Sequence, residues 1–231
     1  MGSDNLFSRR KNERMKRREN ILNLKSSTWL VLCEGTKTEP NYFTGATNYI
    51  NSFLNPKDRL KIKVVGKGMN TTSLVKSADD LIKMVDECNN TIVPYGKIFV
   101  VFDKDDFSDD AFNKAIEMCN KNGFIPLWSN EAIEFWFLLH FNYIASKLNR
   151  ETYFEKINEY FNKNGLKYKY QKNDKEIFSK LNKYGSLDDA KSRAKKIHLS
   201  YNNESPAKSF SCTTVYKFYD EIDERLNEIK I

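Results

Sequence analysis

Two short apolar runs in this chain end directly in acidic residues, and this arrangement constrains the fold more than any other feature. Residues 29–33 (WLVLC) lead into Glu34, and residues 98–102 (IFVVF) lead into Asp103 and Asp105. Runs of four to eight apolar, β-rich residues bounded by polar ones are typical of buried strands. In open parallel sheets, functional sites form at the carboxyl ends of the strands. We therefore expect Glu34, Asp103 and Asp105 to lie at one edge of a sheet.

Carboxylates at such an edge favour a site for a hard metal ion. Neighbouring carboxylates repel one another and raise each other's pKa unless a cation compensates them. Their oxygen atoms suit Mg²⁺ or Mn²⁺ better than softer metals. The pattern predicts a metal site that acts on phosphates. Two alternatives stay open: Glu34 is a solvated residue of a turn, or the acids after residue 102 cap the following helix.

The order of predicted elements indicates a mostly parallel sheet covered by helices. After residue 145 the segments look helical and rich in aromatic residues and lysine, and no further strand is expected. We predict a basic arm (1–26), an α/β catalytic domain (27–145) and a helical C-terminal region (146–231) packed on it. The predicted strands are 27–33, 60–65, 97–102 and 124–128, and the predicted helices are 39–53, 71–89, 109–122 and 131–140.

Composition narrows the class of protein. The chain has 231 residues and is 40% hydrophobic, and no apolar stretch approaches the roughly 20 residues that span a bilayer. The start lacks the apolar core of a secretory signal. Four scattered cysteines and two histidines show no metal-ligand spacing. We expect a cytoplasmic protein with reduced thiols and no membrane partner; a homo-oligomer is an open alternative.

The basic charge is concentrated at the start of the chain. Residues 1–26 hold eight Lys or Arg against three acids, a net charge of +5 out of +7 for the whole chain. Such an arm is predicted to bind nucleic-acid phosphates without sequence preference; the alternatives are a solvated arm or a surface for an acidic partner. The cations of this run are Arg9, Arg10, Lys11, Arg14, Lys16, Arg17 and Arg18.

Two further segments carry weaker signals. Lys67 lies between two glycines after the second predicted strand. The spacing is not that of an ATPase phosphate loop, so Lys67 either contacts a substrate phosphate or belongs to a plain turn. Glu134 lies within the apolar run 133–139, one helical turn after Glu131. A charge buried there needs a metal or a partner, and the alternative to a metal is a structural ion pair.

Four blocks of the sequence resemble the RloB-like family. They are residues 32–43 (LCEGTKTEPNYF), 101–107 (VFDKDDF), 129–141 (SNEAIEFWFLLHF) and 213–216 (TTVY). They occur in the family's order and span nearly the whole chain. This family is similar to toprim-fold proteins, the metal-dependent module of topoisomerases, primases and certain nucleases.

The resemblance implies a Rossmann-like toprim sheet in which Glu34 matches the toprim glutamate, and Asp103 and Asp105 match its Asp-x-Asp pair. It also implies a role in phage defence or abortive infection, with a separately encoded ATPase of the RloA type as partner. Relatives usually carry Asn-Pro-x-x-Glu where this chain has Glu131 in place of the proline. Whether Glu131 or Glu134 faces the metal is therefore open, although Glu134 holds the matching position.

We hypothesise a Mg²⁺- or Mn²⁺-dependent nuclease that acts on DNA or RNA. Asp103 and Asp105 would hold the metal, and Glu34 would be a further ligand or the general acid/base. Lys37 or Lys67 would stabilise charge in the transition state. The main alternative is a non-catalytic subunit that binds nucleic acid or the ATPase, and a third is nucleotidyl transfer. The apolar stripe from 215 to 229 predicts a C-terminal helix that either offers a surface to the ATPase or only completes the core.

Overall fold

The computed structural model describes residues 10–18, 28–69, 73–76, 95–105, 107–144, 146–201 and 204–229. Most of the predicted helix 71–89 lies outside these ranges, and its described part, 73–76, is helical. Within the described ranges, no helix is both long enough and apolar enough to cross a bilayer.

A five-stranded sheet organises the described chain. Its spatial order is β2-β1-β3-β4-β5; the first four strands are parallel and β5 is antiparallel to β4. This confirms the predicted α/β architecture with a mostly parallel sheet. The strands are β1 (Thr28–Cys33), β2 (Lys61–Gly66), β3 (Lys97–Asp103), β4 (Ile125–Asn130) and β5 (Cys212–Thr213).

The short strand β5 corrects the expectation that no strand follows residue 145. Only two residues long, it offers no alternating pattern for sequence reasoning to detect. Thr214 holds the pairing beside it: its backbone N–H donates to the carbonyl of Trp128 at 2.9 Å, and its hydroxyl accepts from the N–H of Trp128 at 2.9 Å. The C-terminal region thus adds a strand to the sheet as well as covering it. The predicted domain boundaries near residues 26 and 145 stay predictions.

Besides the helical residues 10–18 and 73–76, the described chain contains seven α-helices and one short 3₁₀ turn. The predicted helices 39–53 and 109–122 agree with the observed helices within one residue at each end. The predicted helix 131–140 begins three residues later than expected, as described below. The helices are α1 (Thr38–Ser52), α2 (Asp109–Lys121), α3 (Glu134–Leu139), α4 (Arg150–Lys163), α5 (Ile177–Tyr184), α6 (Leu187–Ser200) and α7 (Tyr216–Ile229), and the 3₁₀ turn is Pro206–Lys208.

The helix termini show where sequence signals succeed and fail. Gly123 follows α2 with φ +71°, the left-handed conformation that ends a helix. Thr38 is the first residue of α1, and its hydroxyl donates to the carbonyl of Lys172. The predicted helix 131–140 begins only at Glu134 because Asn130 ends strand β4. The side-chain amide of Asn130 donates to the carbonyl of Ala207.

Aromatic side chains from the C-terminal region fill the core. Phe218 on α7 packs against Trp29 and Phe99 of the sheet, and Tyr219 stacks on Trp136. The apolar stripe of α7 therefore packs into the core, and the expected contact of this helix with an ATPase stays a prediction. Acids on its other face form ion pairs within the chain, for example Glu224 with Lys97 at 2.9 Å.

Candidate active site

A cleft of about 310 Å³ opens where β1 and β3 end. Glu34 follows β1 directly, and its backbone N–H donates to the carbonyl of Val101 in β3 at 2.9 Å. Asp103 is the last residue of β3. The parallel register therefore brings Glu34, Asp103 and Asp105 to one edge of the sheet. The acids that line the cleft are Glu34, Glu39, Asp103, Asp105 and Glu134, and the cations are Lys37, Arg150 and Lys172.

Asp103 has the most unusual environment in the cleft. Its Oδ1 atom is buried and has no hydrogen-bond partner within the described chain. Burial raises the pKa of Asp103 well above its ordinary value, and the negative charges of Glu39, Glu134 and Glu34 add to the rise. An ionised carboxylate in this position is destabilising until a cation compensates its charge.

Glu39 is a cleft residue that sequence reasoning missed. It lies in the first turn of α1 and is only 8% exposed. Burial raises its pKa, and the charge of Glu134 contributes to the rise. An acid in the first turn of a helix usually interacts favourably with the helix dipole, so the sequence position of Glu39 alone does not indicate a site residue. The missed signal was that α1 starts at the same strand end as Glu34, which places Glu39 at the site.

Gly35 makes room for the Glu39 carboxylate. A Cβ atom built on Gly35 would lie 2.3 Å from Oε2 and 2.8 Å from Oε1 of Glu39. We expect Gly35→Ala to displace the Glu39 carboxylate while the fold persists, because a flexible side chain moves more readily than backbone. Metal-ion affinity measured by calorimetry should fall about as much in Gly35→Ala as in Glu39→Gln. Affinity at the wild-type level in Gly35→Ala would contradict this role for the glycine.

The structure separates the two glutamates that the sequence left as alternatives. Glu134 is 2% exposed, lines the cleft and accepts a hydrogen bond from the Tyr170 hydroxyl at 2.9 Å. Glu131 instead accepts from the backbone N–H of Arg150 at 3.0 Å, at the start of α4. Glu134 therefore faces the other acids, and Glu131 positions the start of a neighbouring helix.

The remaining predicted residues occupy different positions around the cleft. Asp105 forms an ion pair with the Arg150 side chain. Lys37 is exposed at the rim. Lys67 follows β2, where its backbone N–H donates to the carbonyl of Cys33, and it does not line the cleft.

The basic arm is described only in part. Residues 10–18 form an exposed helix, which includes six of the seven predicted cations. Arg9 lies outside the described residues.

The donor set of the cleft fits a hydrated hard ion. Within the described ranges, no three acidic, histidine or cysteine side chains converge closely enough to ligate one ion. Mg²⁺ commonly keeps several waters and uses only one or two carboxylates, with substrate phosphate completing its shell. The unpartnered Oδ1 atom of Asp103, surrounded by acids, has the chemistry such an ion requires.

Comparison with known families gives one match. A family model described as RloB-like protein matches residues 29–222. No curated protein and no solved structure matches the chain.

Proposed function

We propose that this chain, which belongs to the RloB-like family, is a metal-dependent nuclease of the toprim type that cleaves DNA or RNA phosphodiesters. The observation that carries the proposal is the half-buried Asp103 carboxylate, whose buried Oδ1 atom lacks a hydrogen-bond partner within the described chain. It lies at a strand end, where burial and, to a smaller extent, the neighbouring acids raise the pKa of Asp103. Protein sites with perturbed carboxylates in a cleft are candidates for catalysis.

The chain's residues divide the work as follows. Asp103, with Glu39 and Glu134 beside it, would hold Mg²⁺ or Mn²⁺. When bound, the ion polarises the scissile phosphate and lowers the pKa of water. Glu34, half-buried at the end of β1, is a further ligand or the group that moves a proton to or from the reacting oxygen.

Cations around the cleft suit a phosphate substrate. Lys37, Arg150 and Lys172 line it together with the acids. The Arg150–Asp105 ion pair is partly exposed, with 34% and 39% of the two side chains accessible, and exposed pairs contribute only about 0–1 kcal/mol. Arg150 can therefore exchange Asp105 for a phosphate at little cost. This exchange would also free Asp105 as a metal ligand.

The family resemblance supports a proposal for the biological setting. We propose that the cleavage serves defence against phage in the cytoplasm and that an ATPase of the RloA type gates it.

Two observations favour a non-catalytic subunit as the second candidate function. Asp105 is engaged by Arg150, and no three ligands converge within the described ranges.

A cleavage assay separates the two candidates. Purified protein is incubated with labelled DNA and RNA pools, in Mg²⁺, Mn²⁺ or EDTA, with and without the neighbouring ATPase. The nuclease proposal expects fragments only where a divalent ion is present. Intact pools under all of these conditions would favour the non-catalytic subunit.

The basic arm gives a separate prediction. Deleting residues 1–20 is expected to weaken nucleic-acid binding and to flatten its dependence on salt. Each lost phosphate contact lowers the slope of log affinity against log salt by roughly 0.7 to 0.9. Fluorescence anisotropy between 50 and 300 mM salt measures that slope, with Lys57→Ala, an exposed lysine in the loop before β2, as control. An unchanged slope in the truncated protein would assign the arm to another partner.

A further inference from the structure

One surface of the described chain pairs exposed aromatic rings with lysines. Phe210 and Tyr143 are 39% and 40% exposed. Lys147 Nζ lies 3.7 Å from the ring centroid of Phe210, and Lys196 Nζ lies 5.1 Å from that of Tyr143. These four residues are called the rim strip below. Other aromatic residues of the C-terminal region, such as Phe161, are buried in the core.

Hydrogen bonds hold the segments of the rim strip together. The Tyr201 hydroxyl, just after α6, donates to the carbonyl of Phe210 at 3.0 Å. The Ser211 hydroxyl donates to the carbonyl of Ser146 at 3.0 Å, next to Lys147. The rings are therefore presented by connected backbone segments, and stacking on them would cost little ordering of the chain.

The rim strip lies at the same edge of the sheet as the acidic cleft. Cys212 pairs with Asn130, the last residue of β4, so Phe210 lies beyond the carboxyl end of that strand. Two strand spacings, roughly 10 Å, separate β5 from β3, which ends in Asp103. Lys147 precedes Arg150 by three residues, and the Arg150 side chain pairs with Asp105 inside the cleft. Phe210 and Lys147 therefore lie on the side of the sheet where the cleft opens.

We propose that the rim strip binds single-stranded nucleic acid and leads it into the acidic cleft, so that the substrate is unpaired at the point of attack. This inference rests on the proposed nuclease function and names its substrate class. Unpaired bases stack on exposed aromatic rings, and lysines beside the rings contact the phosphates. Paired bases are already stacked within a duplex, so a duplex gains little from Phe210 and Tyr143.

A binding experiment without metal tests the strip separately from catalysis. Labelled single-stranded DNA and RNA 20-mers and the corresponding duplexes are titrated with the full chain in EDTA, and anisotropy is recorded. Phe210→Ala and Tyr143→Ala should each weaken single-strand affinity about 5- to 160-fold, the range for loss of one base–aromatic stack. Duplex affinity should stay within about twofold, because duplex binding is carried by phosphate contacts.

Matched variants separate stacking from general damage. Phe210→Tyr keeps an aromatic face and should keep wild-type single-strand affinity. Phe53→Ala removes a ring that is 71% exposed and lies between α1 and β2, at the edge where the strands begin, so it should have no effect. Replacing both Lys147 and Lys196 by Ala should lower the salt slope by roughly 1.4, two phosphate contacts on a single strand.

Three results would overturn the proposal. The first is equal single-strand affinity in wild type, Phe210→Ala and Tyr143→Ala. The second is an equal loss in Phe53→Ala. The third is loss of ATPase co-purification in Phe210→Ala with single-strand affinity intact, which would make the strip a protein-docking surface. Cleavage in Mg²⁺ tests the nuclease proposal and anisotropy in EDTA tests the strip, so failure of one and failure of the other give different results.

Discussion

Asp103→Asn is expected to abolish metal-dependent cleavage and, at neutral pH, to raise the melting temperature of the metal-free protein. Asparagine has nearly the same shape but no charge to bind a cation. Even residues that only support a metal ligand contribute 10- to 100-fold to metal affinity, so loss of a direct ligand should cost at least about 100-fold. Stability should rise because a half-buried carboxylate beside other acids is replaced by a neutral group.

The same substitution is expected to change how the stability of the folded protein depends on pH. Burial and neighbouring acids raise the pKa of Asp103 in the folded state, so the folded protein binds more protons than the unfolded chain. Wild-type stability should therefore fall as pH rises from about 4, the unfolded pKa, through the raised folded pKa. Asp103→Asn lacks this titrating carboxyl group. The melting temperatures of wild type and Asp103→Asn should therefore differ most above the folded pKa of Asp103 and converge near pH 4.

Thermal melts in EDTA at several pH values measure this difference. Asp109→Asn is the matched control, because Asp109 is an exposed acid in the first turn of α2. Its melting curve should not reproduce the pH-dependent gap. An Asp103→Asn protein that is unfolded would make the carboxylate a structural element, and one that cleaves at the wild-type rate would exclude it from the site.

Glu39→Gln is the second substitution for which we expect a large effect on metal binding and cleavage. We expect metal affinity and cleavage to fall at least about tenfold with the fold intact, because the glutamine fills the same space above Gly35 but lacks the charge. Glu131→Gln is the control, because its side chain bonds the Arg150 backbone and not the cleft. Calorimetric titration with Mn²⁺ compares the two variants. Equal affinities would remove Glu39 from the site.

The sheet was predictable from sequence because its strands are continuous apolar runs. Residues 29–33 and 98–102 are almost fully buried, so their composition reflects burial on both faces, as parallel strands require. The position of Glu34 and Asp103 followed from the rule that parallel strands share a carboxyl edge. These inferences needed only local pattern and one topological rule.

Features that depend on long-range contacts were not predictable. Glu39 joins the cleft because α1 starts beside Gly35, whereas its sequence position alone suggests an ordinary helix acid. Strand β5 depends on pairing with β4 more than 80 residues earlier in the chain. The contact between Lys147 and Phe210 likewise joins segments that are distant in the sequence. Neither segment contains a motif from which this contact could be predicted.

Binding of a divalent ion at Asp103 tests the central claim most directly. Mn²⁺ is titrated by calorimetry into wild type, Asp103→Asn and Glu131→Gln, and the melting temperature is followed in parallel. Wild type and Glu131→Gln should bind Mn²⁺ saturably and melt higher as the ion concentration rises above the dissociation constant. Asp103→Asn should show neither effect. A wild-type protein that binds no Mn²⁺, or an Asp103→Asn protein that binds it with wild-type affinity, would contradict the assignment of this cleft as a metal centre.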